Sequence, residues 1–169
     1  MIACVVEAVI RSKIKDTVVV TGSHHDQIAT VLKFTERARL VRNPDPSRGM
    51  LSSVRCGLAA IDPSADGIAV LLGDQPGVRS EMIDAVINAW IKSAASIAVP
   101  KFGNRRGHPL VFDVEYREEI LTKFDAIGLR GLLAAHADVV LEVPIDSTAV
   151  LEDIDTPEDY KRLNASHRR

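Results

Sequence analysis

The apolar positions fall into two periods that take turns along the chain. Residues 2–13 carry Ile2, Val5, Val6, Val9 and Ile10 at helical spacing, one face of an amphipathic helix. Thr17-Val18-Val19-Val20-Thr21 is a β-branched run closed by Gly22, which reads as a short strand. Ser23-His24-His25-Asp26 opens a second helix, with Ile28, Val31, Leu32 and Phe34 expected on its inner face. Arg39-Leu40-Val41 returns as a strand. Asn43-Pro44-Asp45-Pro46 then keeps the chain extended, because a proline disfavours helix in the residue before it. Gly49-Met50-Leu51-Ser52-Ser53 starts a third helix with Leu51, Val54, Leu58 and Ile61 as its buried stripe, and Asp62-Pro63 stops it.

The apolar run Ile68-Ala69-Val70-Leu71-Leu72 reads as a buried strand, ended by Gly73-Asp74-Gln75-Pro76-Gly77. Ser80-Glu81 caps a helix with Met82, Ile83, Val86, Ile87, Trp90 and Ile91 on one face. Ser96-Ile97-Ala98-Val99 and Leu110-Val111-Phe112 are strands around a polar, basic, glycine-rich loop at 100–108. Helices are expected near Val114–Leu121 and Leu129–His136, then a strand at Val139–Val143. Thr156-Pro157-Glu158-Asp159 starts a last helix: Thr156 caps, Pro157 suits the first turn, and Asp159 holds the capping-box position. Strands alternating with helices predict one α/β domain over residues 1–169, built on a helix-flanked, largely parallel sheet.

Composition narrows the partners. The chain is 46% hydrophobic and 26% charged, with a formal net charge of −2. This balance offers no electrostatic reason to expect nucleic acid or an anionic membrane. No apolar run approaches the roughly 18 residues that span a bilayer. The start, Met1-Ile2-Ala3-Cys4-Val5-Val6-Glu7, lacks a basic region and reads as helix, not as a signal peptide. Cys4 and Cys56 both sit in apolar helical contexts, so no disulfide and a cytoplasmic location are expected.

Ligands of an open α/β sheet bind at the carboxyl ends of its strands. Asp74 is expected there, either as a turn-capping carboxylate or as a metal ligand. Asp153 and Asp155 follow another strand, and two such ends can converge on one magnesium ion; stabilisation of the last helix dipole is the alternative. Arg105-Arg106-Gly107-His108 reads either as an anion-binding loop or as a solvated hairpin tip. Ser52 and Ser53 either donate to an anion at a helix start or cap that helix. His24-His25 reads as a surface turn in preference to a metal tract, and His136 as a residue compensating a helix dipole. No G-x-S-x-G elbow supports covalent serine catalysis.

Four motifs occur in one order: Gly49-Met50-Leu51-Ser52-Ser53-Val54-Arg55-Cys56-Gly57-Leu58, Leu71-Leu72-Gly73-Asp74-Gln75-Pro76, Arg105-Arg106-Gly107-His108-Pro109, and Asp153-Ile154-Asp155-Thr156-Pro157-Glu158-Asp159-Tyr160. Gly128-Leu129-Arg130-Gly131-Leu132-Leu133 adds a weaker fifth. Together they resemble the MobA-like NTP transferases, and most closely the molybdenum cofactor cytidylyltransferases. The resemblance implies a Rossmann-like, three-layer α/β/α fold of the nucleotide-diphospho-sugar transferase type. It implies transfer of an NMP moiety, CMP from CTP in this branch, to a phosphorylated acceptor such as molybdopterin, with Mg²⁺ and release of pyrophosphate. It places Asp74 and Asp155 (Asp153 as the alternative) as catalytic metal ligands, Gly49, Ser52, Ser53 and Gly73 at the nucleotide, and Arg106, Gly107 and His108 at the acceptor. In-line attack by the acceptor phosphate then needs no protein nucleophile.

One departure stands out. The family begins with a strand and a glycine-rich loop that cradles the triphosphate, whereas here the only glycine before Gly49 is Gly22. The expectation is an N-terminally truncated domain lacking the first strand, with an exposed sheet edge through which two copies could pair. The competing expectation is a non-catalytic relic or binding module that lost nucleotide transfer with its loop.

Overall fold

The fold was analysed in a computed structural model that describes residues 1–32, 38–154, 156 and 159. The elements run α1 (Ile2–Arg11), β1 (Thr17–Thr21), α2 (His25–Val31), β2 (Ala38–Arg42), α3 (Met50–Ala60), β3 (Gly67–Val70), α4 (Ser80–Lys92), β4 (Ile97–Phe102), β5 (Arg105–Arg106), β6 (Leu110–Asp113), α5 (Arg117–Thr122), α6 (Leu129–Ala135) and β7 (Val140–Pro144). Phe34 and Asp155 lie outside the described residues.

Strand pairing corrects the expectation of a largely parallel sheet. β1 and β2 form a parallel pair, and β4 is parallel to β7. β6, however, lies antiparallel between β3 and β4, and β5 is antiparallel to β4. The cause is the connection. Parallel neighbours need a crossover of a dozen or more residues, usually a helix. The chain from β4 to β6 instead turns back at Gly103-Asn104 with no helix between. β6 therefore wedges between β3 and β4, and the sheet is mixed.

Period-two alternation sorts the strand residues into layers. Ile68, Ile97, Val99, Leu110 and Phe112 face a core closed by Leu51 and Leu58 of α3, Ile120 of α5 and Leu132 of α6. Ala98 and Val111 face the other way, against Val86 and Trp90 of α4. α1 completes that layer through Val5 and Val9, packed with Ile83. Helices on both faces of the strands make the three-layer α/β/α arrangement that the sequence implied. Two side chains expected to face inward do not: Val31 and Ile91 are 63% and 65% exposed. Each sits in the last turn of its helix.

The strand layer is in two pieces. Among the described residues no strand pairing joins β1–β2 to the β3-containing sheet. Between them lies a cavity of about 600 Å³, lined by Val18 and Val20 of β1, Ala69 and Val70 of β3, Val9 of α1 and Val54 of α3. The two facing strands run in the same direction. Asn43, just after β2, bonds the Thr21 carbonyl at the end of β1 and reaches Ser52 and Ser53 at the start of α3. At the opposite end Arg39, near the start of β2, bonds the Ala60 carbonyl at the end of α3. α3 thus runs against β1, and the short link after it delivers the chain to the start of β3. The ends of β1, β2 and β3 and the start of α3 share one edge of the molecule.

Candidate active site

At that edge the chain leaves β3 two residues sooner than the apolar run predicted, because Leu71 and Leu72 line the cavity and are outside the strand pairing. The turn that follows carries Asp74. Its carbonyl accepts the Ile154 N–H at 2.9 Å, which ties the segment after β7 to this turn. Its Oδ1 is buried without a hydrogen-bond partner. A buried carboxylate oxygen in that state costs free energy unless a cation or donor comes to it. Next to it Gln75 is only 3% exposed. The Gln75 Nε2 donates to Asp153 Oδ1 at 2.8 Å, and its Oε1 is buried without a partner.

A third segment closes on the same place. The Gly107 N–H donates to the Pro100 carbonyl at 2.9 Å, and the His108 N–H to the Val150 carbonyl at 3.0 Å. A Cβ at Gly107 would stand 2.0 Å from the Val150 carbonyl oxygen, so only glycine fits between these backbones. His108 is partly buried. Burial lowers its pKa from the usual 6.5, while the negative charges of Asp153 and Asp74 act in the opposite sense. Asp74, Gln75, His108 and Asp153, drawn from three loops, therefore form one group.

The other expected residues divide. Gly49 has φ of +85°, a conformation that glycine adopts readily, and sets the entry to α3. Asn43, 4% exposed, donates from Nδ2 to Ser52 Oγ at 2.8 Å and Ser53 Oγ at 3.0 Å, while its Oδ1 accepts the Asp45 N–H. Ser52 Oγ in turn donates to the Gly49 carbonyl at 2.7 Å, so the two serines are engaged in shaping the start of the helix. Ser53 and Gly73 line the same cavity from opposite sides. Ile2, at the start of α1, packs on Gly73, where a Cβ would lie 3.4 Å from its side chain. The start of α1 thus lies against the Asp74 turn.

Arg106 is not brought into the group. It sits on the exposed hairpin, and its Nε donates to Glu142 Oε1 at 2.7 Å, while Lys101 bonds the other oxygen of Glu142. Asp155 lies outside the described residues, whereas the capping box beside it is formed: Thr156 Oγ1 donates to Asp159 Oδ2 at 2.7 Å, and the Asp159 N–H returns to Thr156 Oγ1 at 3.2 Å. His25 shares a 2.7 Å hydrogen bond with Thr21, and His136, at the C-terminal cap of α6, pairs with Glu119 at 2.7 Å. Among the described residues no group of three or more His, Cys, Asp or Glu side chains could hold a metal ion. Two carboxylates suit a hard cation that keeps water and phosphate oxygens for its other positions.

Sequence reasoning missed Gln75 and Asn43 as shaping residues. Each was in a quoted motif or turn, but a neutral amide announces no chemistry, and the partner of Gln75 is 78 positions away.

A family model described as the MobA-like NTP transferase domain matches residues 1–139. No curated protein matches the chain. Among solved structures, the Mycobacterium sp. strain JC1 homolog of Mycobacterium tuberculosis Rv0371c is 25% identical, with a TM-score of 0.79 over 98% of this chain and 81% of that one. The manganese complex of Mycobacterium tuberculosis Rv0371c is 24% identical, with a TM-score of 0.79 over 96% of this chain and 84% of that one. The 4-diphosphocytidyl-2C-methyl-D-erythritol synthase of Anaerococcus prevotii is 21% identical, with a TM-score of 0.80 over 99% of this chain and 86% of that one. At these identities the likeness establishes the fold, which is that of the nucleotidyltransferases.

Proposed function

We propose, from the premise that this chain belongs to the MobA-like NTP transferase domain family, that it transfers a nucleoside monophosphate from an NTP to a phosphorylated acceptor and releases pyrophosphate. The observation that carries this reading is the buried, unpartnered Oδ1 of Asp74 at a strand end, grouped with Asp153 and His108. CTP is the favoured nucleotide and a molybdopterin-type phosphate the favoured acceptor, on the resemblance of the Gly73-Asp74-Gln75-Pro76 and Arg106-Gly107-His108-Pro109 stretches to that branch.

The roles follow from the chemistry. Asp74 and Asp153, or Asp155 in its stead, would hold Mg²⁺; a structurally similar chain has been solved as a manganese complex. Bound there, the cation would neutralise charge on the α-phosphate and the departing pyrophosphate. The starts of α1 and α3 present unpaired backbone N–H groups and positive dipole ends to a triphosphate. Gly49, Ser52, Ser53 and Gly73 shape the nucleotide side. Gly107 brings its backbone close to residue 150, and His108, with its neutral form favoured by burial, faces the acceptor side as a hydrogen-bonding group.

Pyrophosphate release by the purified chain with Mg²⁺, acceptor and each NTP in turn tests the reading. Turnover that is highest with CTP and falls at least a hundredfold in Asp74→Asn supports it; equal turnover in that variant refutes it. Pairing of two copies through an open strand edge belongs to this reading, and light scattering that gives a monomer excludes it.

A further inference from the structure

We propose that Gln75 is a positioning residue for Asp153, holding that carboxylate against the Asp74 turn so that the two act as one cation-binding pair. The inference rests on the metal-dependent reading of the site above, and it begins from an energetic oddity. Gln75 is almost wholly buried, yet its amide makes a single side-chain hydrogen bond and leaves Oε1 unpartnered. Burying an amide half-satisfied costs more than burying an apolar side chain of similar size. Stability alone would select Leu or Met at this position.

What the amide achieves is visible on its partner. Asp153 is exposed. An exposed aspartate on a loop samples its rotamers freely. Here its backbone neighbour Ile154 is anchored, with the side chain 8% exposed and the N–H on the Asp74 carbonyl at 2.9 Å. The Gln75 Nε2 adds a second tie at 2.8 Å, to Oδ1 of Asp153. Two ties, one on the backbone and one on the carboxylate, leave Asp153 little freedom to turn away. One donor on one oxygen also leaves the other oxygen free to accept, and a carboxylate bonded in this way is oriented for a cation. Gln75 Oε1 is itself an acceptor. A cation or a cation-bound water between Asp74 and Asp153 is the complement that would relieve both orphaned oxygens, Asp74 Oδ1 and Gln75 Oε1.

The test uses Mn²⁺ alone as probe, followed by electron paramagnetic resonance on the purified chain. The wild type is compared with Gln75→Met, which keeps the volume, with Asp153→Ala, which removes the acceptor, and with the double variant. Loss of a group that orients a metal ligand weakens affinity about 10- to 100-fold. Gln75→Met is therefore expected to weaken Mn²⁺ binding at least about tenfold, and to weaken it less than twofold further in the Asp153→Ala background. Unchanged affinity in Gln75→Met overturns the proposal, as does an equal loss in both backgrounds, because Gln75 would then not act through Asp153. A second measurement needs no metal. The side-chain NH₂ signals of Gln75 in a ¹⁵N correlation spectrum should move, and exchange faster, in Asp153→Ala, an exposed change that removes the acceptor. If they stay put, the tie does not exist in solution and the proposal fails whatever the metal data show. If they move while wild type binds no Mn²⁺, the positioning stands and the metal-dependent reading is what has failed.

Discussion

At Gly107 a single methyl group separates a loop that closes from one that cannot. The Val150 carbonyl would stand 2.0 Å from an added Cβ, and backbone oxygen, unlike the tip of a long side chain, cannot step aside cheaply. Gly107→Ala is expected to cost about 1–3 kcal/mol of stability, in the range of overpacked cores. Chemical denaturation reads this as a lower midpoint with an unchanged slope. His108, the next residue, gives a pH signature. Its folded pKa is below the usual 6.5, chiefly through burial. The unfolded chain therefore binds this proton more tightly than the folded one. Stability is full above 6.5, falls as the pH drops through that value, and finishes falling below the lower folded pKa. Thermal unfolding in a chelator, scanned across that window, should show the loss, and His108→Gln should flatten it. The sequence already singled out both residues, Gly107 in a loop read as anion-binding or as a solvated tip, and His108 through the family resemblance. It could not show that Arg106, one residue before them, is occupied by Glu142.

The elements were legible where a period ran its full length. α1, α3 and α4 are where the apolar stripes put them, and the capping box at Thr156 and Asp159 forms as its residue types require. What the periods could not carry is direction. Leu110-Val111-Phe112 reads as a strand in either sense, and the missing helix between it and β4 is the feature that makes it antiparallel. Nor do they reveal how elements are fastened. Arg55 on α3 donates to the Ile120 and Lys123 carbonyls and to Asp125, which pins the end of α5 to the middle of α3. Asn43 does the same for the start of α3, and it is the more buried of the two. Asn43→Ala removes a donor to two serines and an acceptor for the Asp45 N–H. It is expected to cost about 1–3 kcal/mol, the range for stranded buried partners. In hydrogen exchange the amides of residues 47–53 should lose protection, while those of β4 keep theirs.

Over the whole molecule, residues distant in sequence meet at one edge: the ends of β1, β2 and β3, the start of α3, and the loops bearing His108 and Asp153. The alternation of strands and helices predicted such an edge, and the motif order predicted which loops would face it. The division of the strand layer into two sheets is the part with geometry that only the folded chain supplies. β1–β2 is joined to the rest through α1 and α3, with no strand pairing across the gap among the described residues. Protection against exchange should therefore be uneven, lowest in β1 and β3 and highest in β4, which is paired on both sides.

That gap has a consequence under compression. Hydrostatic pressure favours whichever state occupies the smaller volume, and unfolding eliminates internal voids. The space of about 600 Å³ opens to solvent past Lys13, Asp16 and Asp66, and its inner part, bounded by valine, alanine and leucine, adds to the volume of the folded chain. Fluorescence of Trp90, which lines that space, would follow unfolding in a pressure cell. The volume decrease is expected within the roughly 20–100 mL/mol seen for folded domains.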